Sequence, residues 1–159
     1  GLLLLEDFGD NTFTQVLLQG IKESEIYECA IDLLIDLHKQ PVIENRKDRI
    51  GSYGHQELYR EISLFVEWYM PLCFENKAVI ENTDEFYSIW VGLLKNVSQI
   101  NETLVLRDFH ADNLVWLPER EGIKRCGLLD YQDAVIGSRT YDLLSLLFDR
   151  ILFPVCLFC

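Results

Sequence analysis

The chain has 159 residues, 49% apolar and 25% charged, which is enough for one well-packed core and excludes a disordered or low-complexity protein. A formal net charge of −12 and a pI near 4.6 argue against nucleic acid or an anionic membrane as the main partner. The apolar stretches at both ends fall short of the roughly 20 residues that a membrane-spanning helix needs.

Leu2 to Leu5 is an apolar run bounded by Glu6-Asp7-Phe8-Gly9-Asp10, which predicts a buried strand leaving into a turn. Ser24 is placed to cap a helix carrying Ile26, Ala30, Ile31, Leu34 and Leu37 on one face, ending at His38 before Pro41. Residues 42–54 mix charges with Gly51 and Gly54 and read as a loop. A second helix carries Leu58, Ile62, Phe65, Val66 and Tyr69 and is expected to end at Pro71. A third, with Asp84 as its cap, carries Phe86, Ile89, Trp90, Leu93, Leu94 and Val97.

The period then changes. Leu104-Val105-Leu106, Val115-Trp116-Leu117 and Cys126-Gly127-Leu128-Leu129 are strand-like, and Pro118 with Glu119-Arg120-Glu121-Gly122 makes the last two a predicted hairpin. A fourth helix runs from Tyr141 through Phe148. Helices, a small hairpin bearing acidic residues, then another helix give a mostly helical α+β fold. The apolar tail from Ile151 to Cys159 reads as a buried terminal helix or strand, and both ends of the chain look cut.

Five cysteines, Cys29, Cys73, Cys126, Cys156 and Cys159, are scattered. Only the last two have C-x-x-C spacing, and no second pair or histidine cluster completes a zinc site. Reduced thiols in a cytoplasmic protein are the expectation, and no signal peptide is visible at Gly1.

The chemistry concentrates in Arg107-Asp108-Phe109-His110-Ala111-Asp112-Asn113, which follows one apolar run, and in Asp130, which ends another. A carboxylate, an amide five residues on and a strand-terminal carboxylate are what a Mg-ATP phosphotransferase needs. One group orients an attacking hydroxyl, and two oxygen ligands hold magnesium against the phosphates. The pattern D-x-x-x-x-N followed by a strand-ending D is the catalytic half of the protein-kinase signature. Asp108 is accordingly the candidate base, and Asn113 and Asp130 are the candidate metal ligands. Each residue alone has a plainer reading as a turn Asp, an Asx-turn Asn or a strand-ending Asp. Their spacing and strand context together favour a site.

Around them, Arg107 reads as a loop-bracing cation and His110 as a partner of loop backbone. Asp142 reads as a helix cap bonded to loop amides, with a geometric effect. Asp112 and Asp133 are substrate candidates, as are Glu67 and Trp68 near a helix end. The surface acidity is compatible with ATP, because magnesium and local cations set the field at the phosphates.

These residues resemble the aminoglycoside phosphotransferase and choline kinase group, relatives of protein kinases that phosphorylate small molecules. Leu106 to Asn113 is similar to that group's H-G-D-L-H-x-x-N loop, with Leu106 for the first histidine and Arg107 for glycine. Leu129-Asp130-Tyr131-Gln132-Asp133-Ala134 is similar to its I-D-[FW]-x-D-A strand end, and Tyr141-Asp142-Leu143 to its x-D-L helix start. The texture R-D-x-H-x-D-N-L-x-W-L-P-x-R, then G-L-L-D-[FY]-Q-D-A, resembles the bacterial branch acting on the anomeric hydroxyl of N-acetylmuramate and N-acetylglucosamine in cell-wall recycling.

The resemblance covers Gly1 to about Arg150. It implies a protein-kinase-like C-terminal lobe over residues 11–159 and a hinge strand remnant over residues 1–10. At the hinge, backbone at Leu5, Glu6 and Asp7 would hold adenine. The first lobe, with its glycine-rich loop and lysine, is missing from the pattern. ATP and Mg2+ are the implied cofactors, a small molecule is the implied partner, and the fragment alone is expected to be inactive. The alternatives are a kinase for an aminoglycoside or choline-like amine, and a non-catalytic module that keeps the fold.

Overall fold

A computed structural model describes residues 2, 4–40, 50–74, 76–100 and 102–156, a mixture of helices with two small antiparallel sheets, hence α+β. Pro41, the first part of the 42–54 loop, and Leu157 to Cys159 lie outside the described residues, as do Gly1 and Leu3.

The first expectation fails. Leu4 and Leu5 have no strand geometry, and Leu2, Leu4 and Leu5 are exposed. A strand exists only through a ladder of hydrogen bonds to a neighbour, and no described segment pairs with this run. Further along, Asn11 and Thr12 flank the later strand that holds Val115 and Trp116: Thr12 bridges Val115, and the Trp116 N–H donates to the Asn11 carbonyl at 2.8 Å.

Thr12 also caps α1 (Phe13–Leu18), accepting from the Gln15 N–H at 3.3 Å. This helix escapes the periodicity reading because it spans under two turns. α2 (Glu23–Lys39) starts after Lys22, with Ser24 inside its first turn, so the serine is no cap. Its buried face is Ile26, Cys29, Ala30 and Leu34, while Ile31 is turned outward. α3 (His55–Leu64) continues without a break into a π-helical turn, Phe65–Tyr69, and then α4 (Met70–Cys73). Pro71 therefore does not end the helix. It is the second residue of α4, directly after a π turn in which the Met70 N–H reaches back to the Phe65 carbonyl, and the helix runs on to Cys73. α5 (Asn76–Val97) extends well ahead of Asp84, which is a mid-helix residue and not a cap.

β1 (Thr103–Val105) pairs with β4 (Val135–Gly137), a strand the sequence reading leaves out. β2 (Leu114–Trp116) and β3 (Cys126–Leu128) form the expected hairpin, closed through a 3-10 turn at Gly122–Arg125, with Leu114 opposite Leu128. Residues 51–53 run alongside β4: the Ile136 N–H donates to Gly51 at 2.8 Å and the Tyr53 N–H to Ile136 at 2.7 Å. α6 (Thr140–Cys156) follows.

The core gathers Phe13, Val16, Ile26, Ala30, Leu34, Leu106, Phe109, Leu114, Trp116 and Leu146. Phe109, inside the acidic loop, is almost wholly buried in it. That burial pins the loop's centre and leaves its polar residues at the rim. No described helix is long and apolar enough to cross a membrane.

Candidate active site

The loop from Arg107 to Asn113 leaves β1 and enters β2, so both its ends are held in sheets. Asp108 is exposed beside the buried Phe109, and Asn113 is half-buried. The Asn113 side-chain N–H donates to the Asp108 carbonyl at 3.1 Å, and its Nδ2 lies 3.2 Å from His110 Nε2. With its nitrogen engaged, the amide oxygen of Asn113 is the atom left for a cation. His110 further bridges the loop, its N–H reaching the Asp108 carbonyl and its own carbonyl taking the Asn113 N–H at 3.0 Å.

The hairpin register brings the second carboxylate in. One step beyond the Leu114–Leu128 pair, the Leu129 N–H donates to the Asn113 carbonyl at 2.9 Å. Asp130 follows at once in the left-handed region, φ 55°, a conformation that Asp tolerates better than most residues. Its Oδ1 accepts from Gln132 at 2.5 Å.

Asp142 is the best-buried polar residue of the region, 1% exposed. Its carboxylate takes the Leu106 N–H at 2.8 Å and the Arg107 N–H at 3.0 Å. Burial pushes its carboxyl up, the two amides pull it back down, and the Asp108 charge nearby pushes it up again. The side chain thus reaches across to the loop rather than back to cap its own helix. Arg107, φ 74°, pairs with Glu61 at 3.2 Å.

Leu5, Glu6 and Phe8 line one cleft of about 430 Å³ together with Leu128, Leu129, Asp130, Tyr131 and Gln132. Arg120, in the hairpin turn, pairs with Glu6 and lies over the Phe8 ring at 5.2 Å. Phe8 in turn packs on Gly127, where a Cβ would come within 2.8 Å of the ring. Asp7 binds the Gly9 N–H and does not line the cleft.

The other candidates are more dispersed. Glu67 lines a separate cleft of about 580 Å³ with His55, Gln56, Tyr59, Arg60, Ser63 and Leu64. Trp68 is 72% exposed and not part of it. Asp112 and Asp133 are exposed. Among the described residues no group of three His, Cys, Asp or Glu side chains converges as a metal site. Sequence reasoning missed Glu61, Tyr53 and Arg120, whose partners lie far along the chain. The Arg in the L-P-x-R texture was the one available signal.

Residues 15–155 match the family model described as "Phosphotransferase enzyme family". An N-acetylmuramate/N-acetylglucosamine kinase of Caulobacter vibrioides is 33% identical over 157 residues, covering 94% of this chain and 42% of the relative. Proteins of the same name from Neisseria meningitidis and Pseudomonas aeruginosa are 30% and 31% identical, over 94% and 92% of this chain. The chain spans about two fifths of the length of these relatives.

Proposed function

The chain belongs to the phosphotransferase enzyme family, and from that membership we propose that it is the catalytic, C-terminal lobe of an ATP-dependent small-molecule kinase whose acceptor is an amino-sugar hydroxyl. Residues 1–10 are the hinge and residues 11–159 the lobe. The observation that carries this reading is the shared cleft. The segment proposed to meet adenine and the strand end proposed to meet the phosphates line the same cavity.

In this reading Asp108 accepts the proton of the attacking hydroxyl and orients it, held in place by the buried Phe109 and by the Asn113 side chain. A loose phosphoryl-transfer transition state asks mainly for such positioning and for charge neutralisation. Asn113 Oδ1 and Asp130 would hold magnesium, which supplies that neutralisation. A neutral and an anionic oxygen suit a hard ion that keeps several waters and takes its other ligands from phosphate. Arg107, His110 and Asp142 support the loop. Asp112 and Asp133 are offered to the acceptor, whereas Glu67, in its separate cleft, and the exposed Trp68 are not. The free thiols at Cys29, Cys73 and Cys126 suit a reducing, cytoplasmic setting.

The amino-sugar assignment rests on the names of the relatives. Exposed carboxylates at Asp112 and Asp133 also favour a second reading, a cationic acceptor of the aminoglycoside or choline kind. The deciding test is a coupled ATPase assay with N-acetylmuramate, N-acetylglucosamine, kanamycin and choline, on this chain and on its full reading frame. Turnover on the two sugars alone supports the first reading, and turnover on the amines replaces it. Silence on all four at full length leaves the non-catalytic module.

A further inference from the structure

Outside the reacting groups, one carboxylate gathers three donors from distant parts of the chain. Glu61, on α3, accepts from the Tyr53 hydroxyl, from Arg107 Nη2 at 3.2 Å and from the Tyr141 hydroxyl at 3.4 Å. Tyr53 is buried, with its ring 5.7 Å from the Arg107 guanidinium carbon and edge-on to Tyr141 at 4.8 Å. Burial first, and then the Glu61 carboxylate, push the Tyr53 phenol far above its usual range, so it remains a donor.

Arg107 is held twice. Its backbone N–H is taken by Asp142 and its guanidinium by Glu61, while its φ of 74° reverses the chain just before Asp108. Left-handed backbone is unfavourable for an L residue with a long side chain. Arg107 Nε is moreover buried, with no hydrogen-bond partner among the described residues, a further cost. The Arg107–Glu61 pair is one-third exposed on both sides, and such pairs contribute little net stability. An arrangement that adds so little to stability and carries these costs is explained by where it puts the next residue.

Resting on the phosphotransfer reading for its consequence, we propose that Glu61 is a positioning residue for Asp108: it clamps the Arg107 side chain, so that the strained peptide presents the carboxylate in one direction. The clamp acts from the face of α3 opposite the cleft lined by Tyr59, Ser63 and Glu67.

Hydrogen–deuterium exchange on the full chain tests it, comparing the natural protein with Glu61→Gln, Arg107→Met and the double variant. The expected result is at least tenfold faster exchange of amides 106–113, with α2 unchanged, and no further loosening in the double variant. In the kinase assay on the full reading frame, kcat should fall at least tenfold with the nucleotide KM unmoved, and Glu61→Asp should recover part of the loss. Unchanged exchange at 106–113, additive effects of the two substitutions, or loosening that spreads to α2 in both single variants overturns the proposal. Silence on all the acceptors from the full reading frame defeats the proposed function, while the exchange data still decide whether Glu61 fixes the loop.

Discussion

The backbone N–H of Leu129 donates to the carbonyl of Asn113 at 2.9 Å, one step past the last pair of the hairpin ladder. That bond joins the end of the acidic loop to the residue before Asp130. A backbone register thus ties the two proposed metal ligands together, and each side chain is then oriented by its own local contacts. A one-residue slip would turn every side chain of the hairpin to its other face.

If Asn113 and Asp130 hold magnesium, Asp130→Ala in the active kinase removes nearly all turnover. Asp130 is exposed but sits at φ 55°, where Ala is less tolerated than Asp, so the variant should lose on the order of 1 kcal/mol of stability and remain folded. Asn113→Ala raises the magnesium concentration needed for half-maximal rate. Turnover at the natural level in Asp130→Ala, at any magnesium concentration, removes the residue from the site.

Asp108→Asn keeps nucleotide binding and lowers the rate of phosphoryl transfer by about 10² to 10⁴, the usual range for a lost general base. Calorimetric titration with Mg-ATP and single-turnover kinetics separate the two effects. A loss under about tenfold, with chemistry rate-limiting, assigns proton acceptance elsewhere.

Asp142→Ala strips the acceptor from two consecutive amides, of Leu106 and Arg107. Each buried donor left unsatisfied costs about 1–3 kcal/mol, and a urea titration should show a loss of that order or somewhat more. Asp142→Asn offers one acceptor oxygen in place of two and should lie between the variant and the natural protein. Stability equal to the natural protein in Asp142→Ala would mean that the loop amides find other partners.

Cys126 carries the pH prediction. Burial, with a smaller push from Cys29, raises its thiol to about 12. For a folded value above the unfolded one, stability is fully present below the unfolded pKa near 9 and is lost as pH rises toward 12. The slope is about 1.4 kcal/mol per unit over that window, so the natural protein should weaken more steeply than Cys126→Ala between pH 9 and 11. At pH 8, mapping of alkylated thiols should find the exposed Cys73 modified and Cys126 protected. Rapid labelling of Cys126 in the folded protein would show that the hairpin opens.

The local chemistry of the chain was legible before any coordinates. Short apolar runs and turn residues predict the β2–β3 hairpin, helical spacing predicts α2, and the spacing of Asp108, Asn113 and Asp130 points to the candidate site. These features depend on residues close in sequence, where period and spacing carry the physics directly. The chain alone equally supports the contact that Asp142 makes with the loop, as an expectation from its place at a helix start.

What the tertiary structure decided is everything whose partner lies far along the chain. Leu2 to Leu5 has strand composition and no strand, because composition cannot supply a neighbour's hydrogen bonds. Pro71 and Asp84 look like helix boundaries and lie within helical runs, because flanking packing and a π turn override local preference. β4 exists because β1 and residues 51–53 flank it. Glu61 is one more acidic residue on a helix until the fold brings Tyr53, Arg107 and Tyr141 to it across 8, 46 and 80 positions of chain. Sequence fixes which groups are available and where short-range geometry puts them, and only the closed fold decides which of them meet.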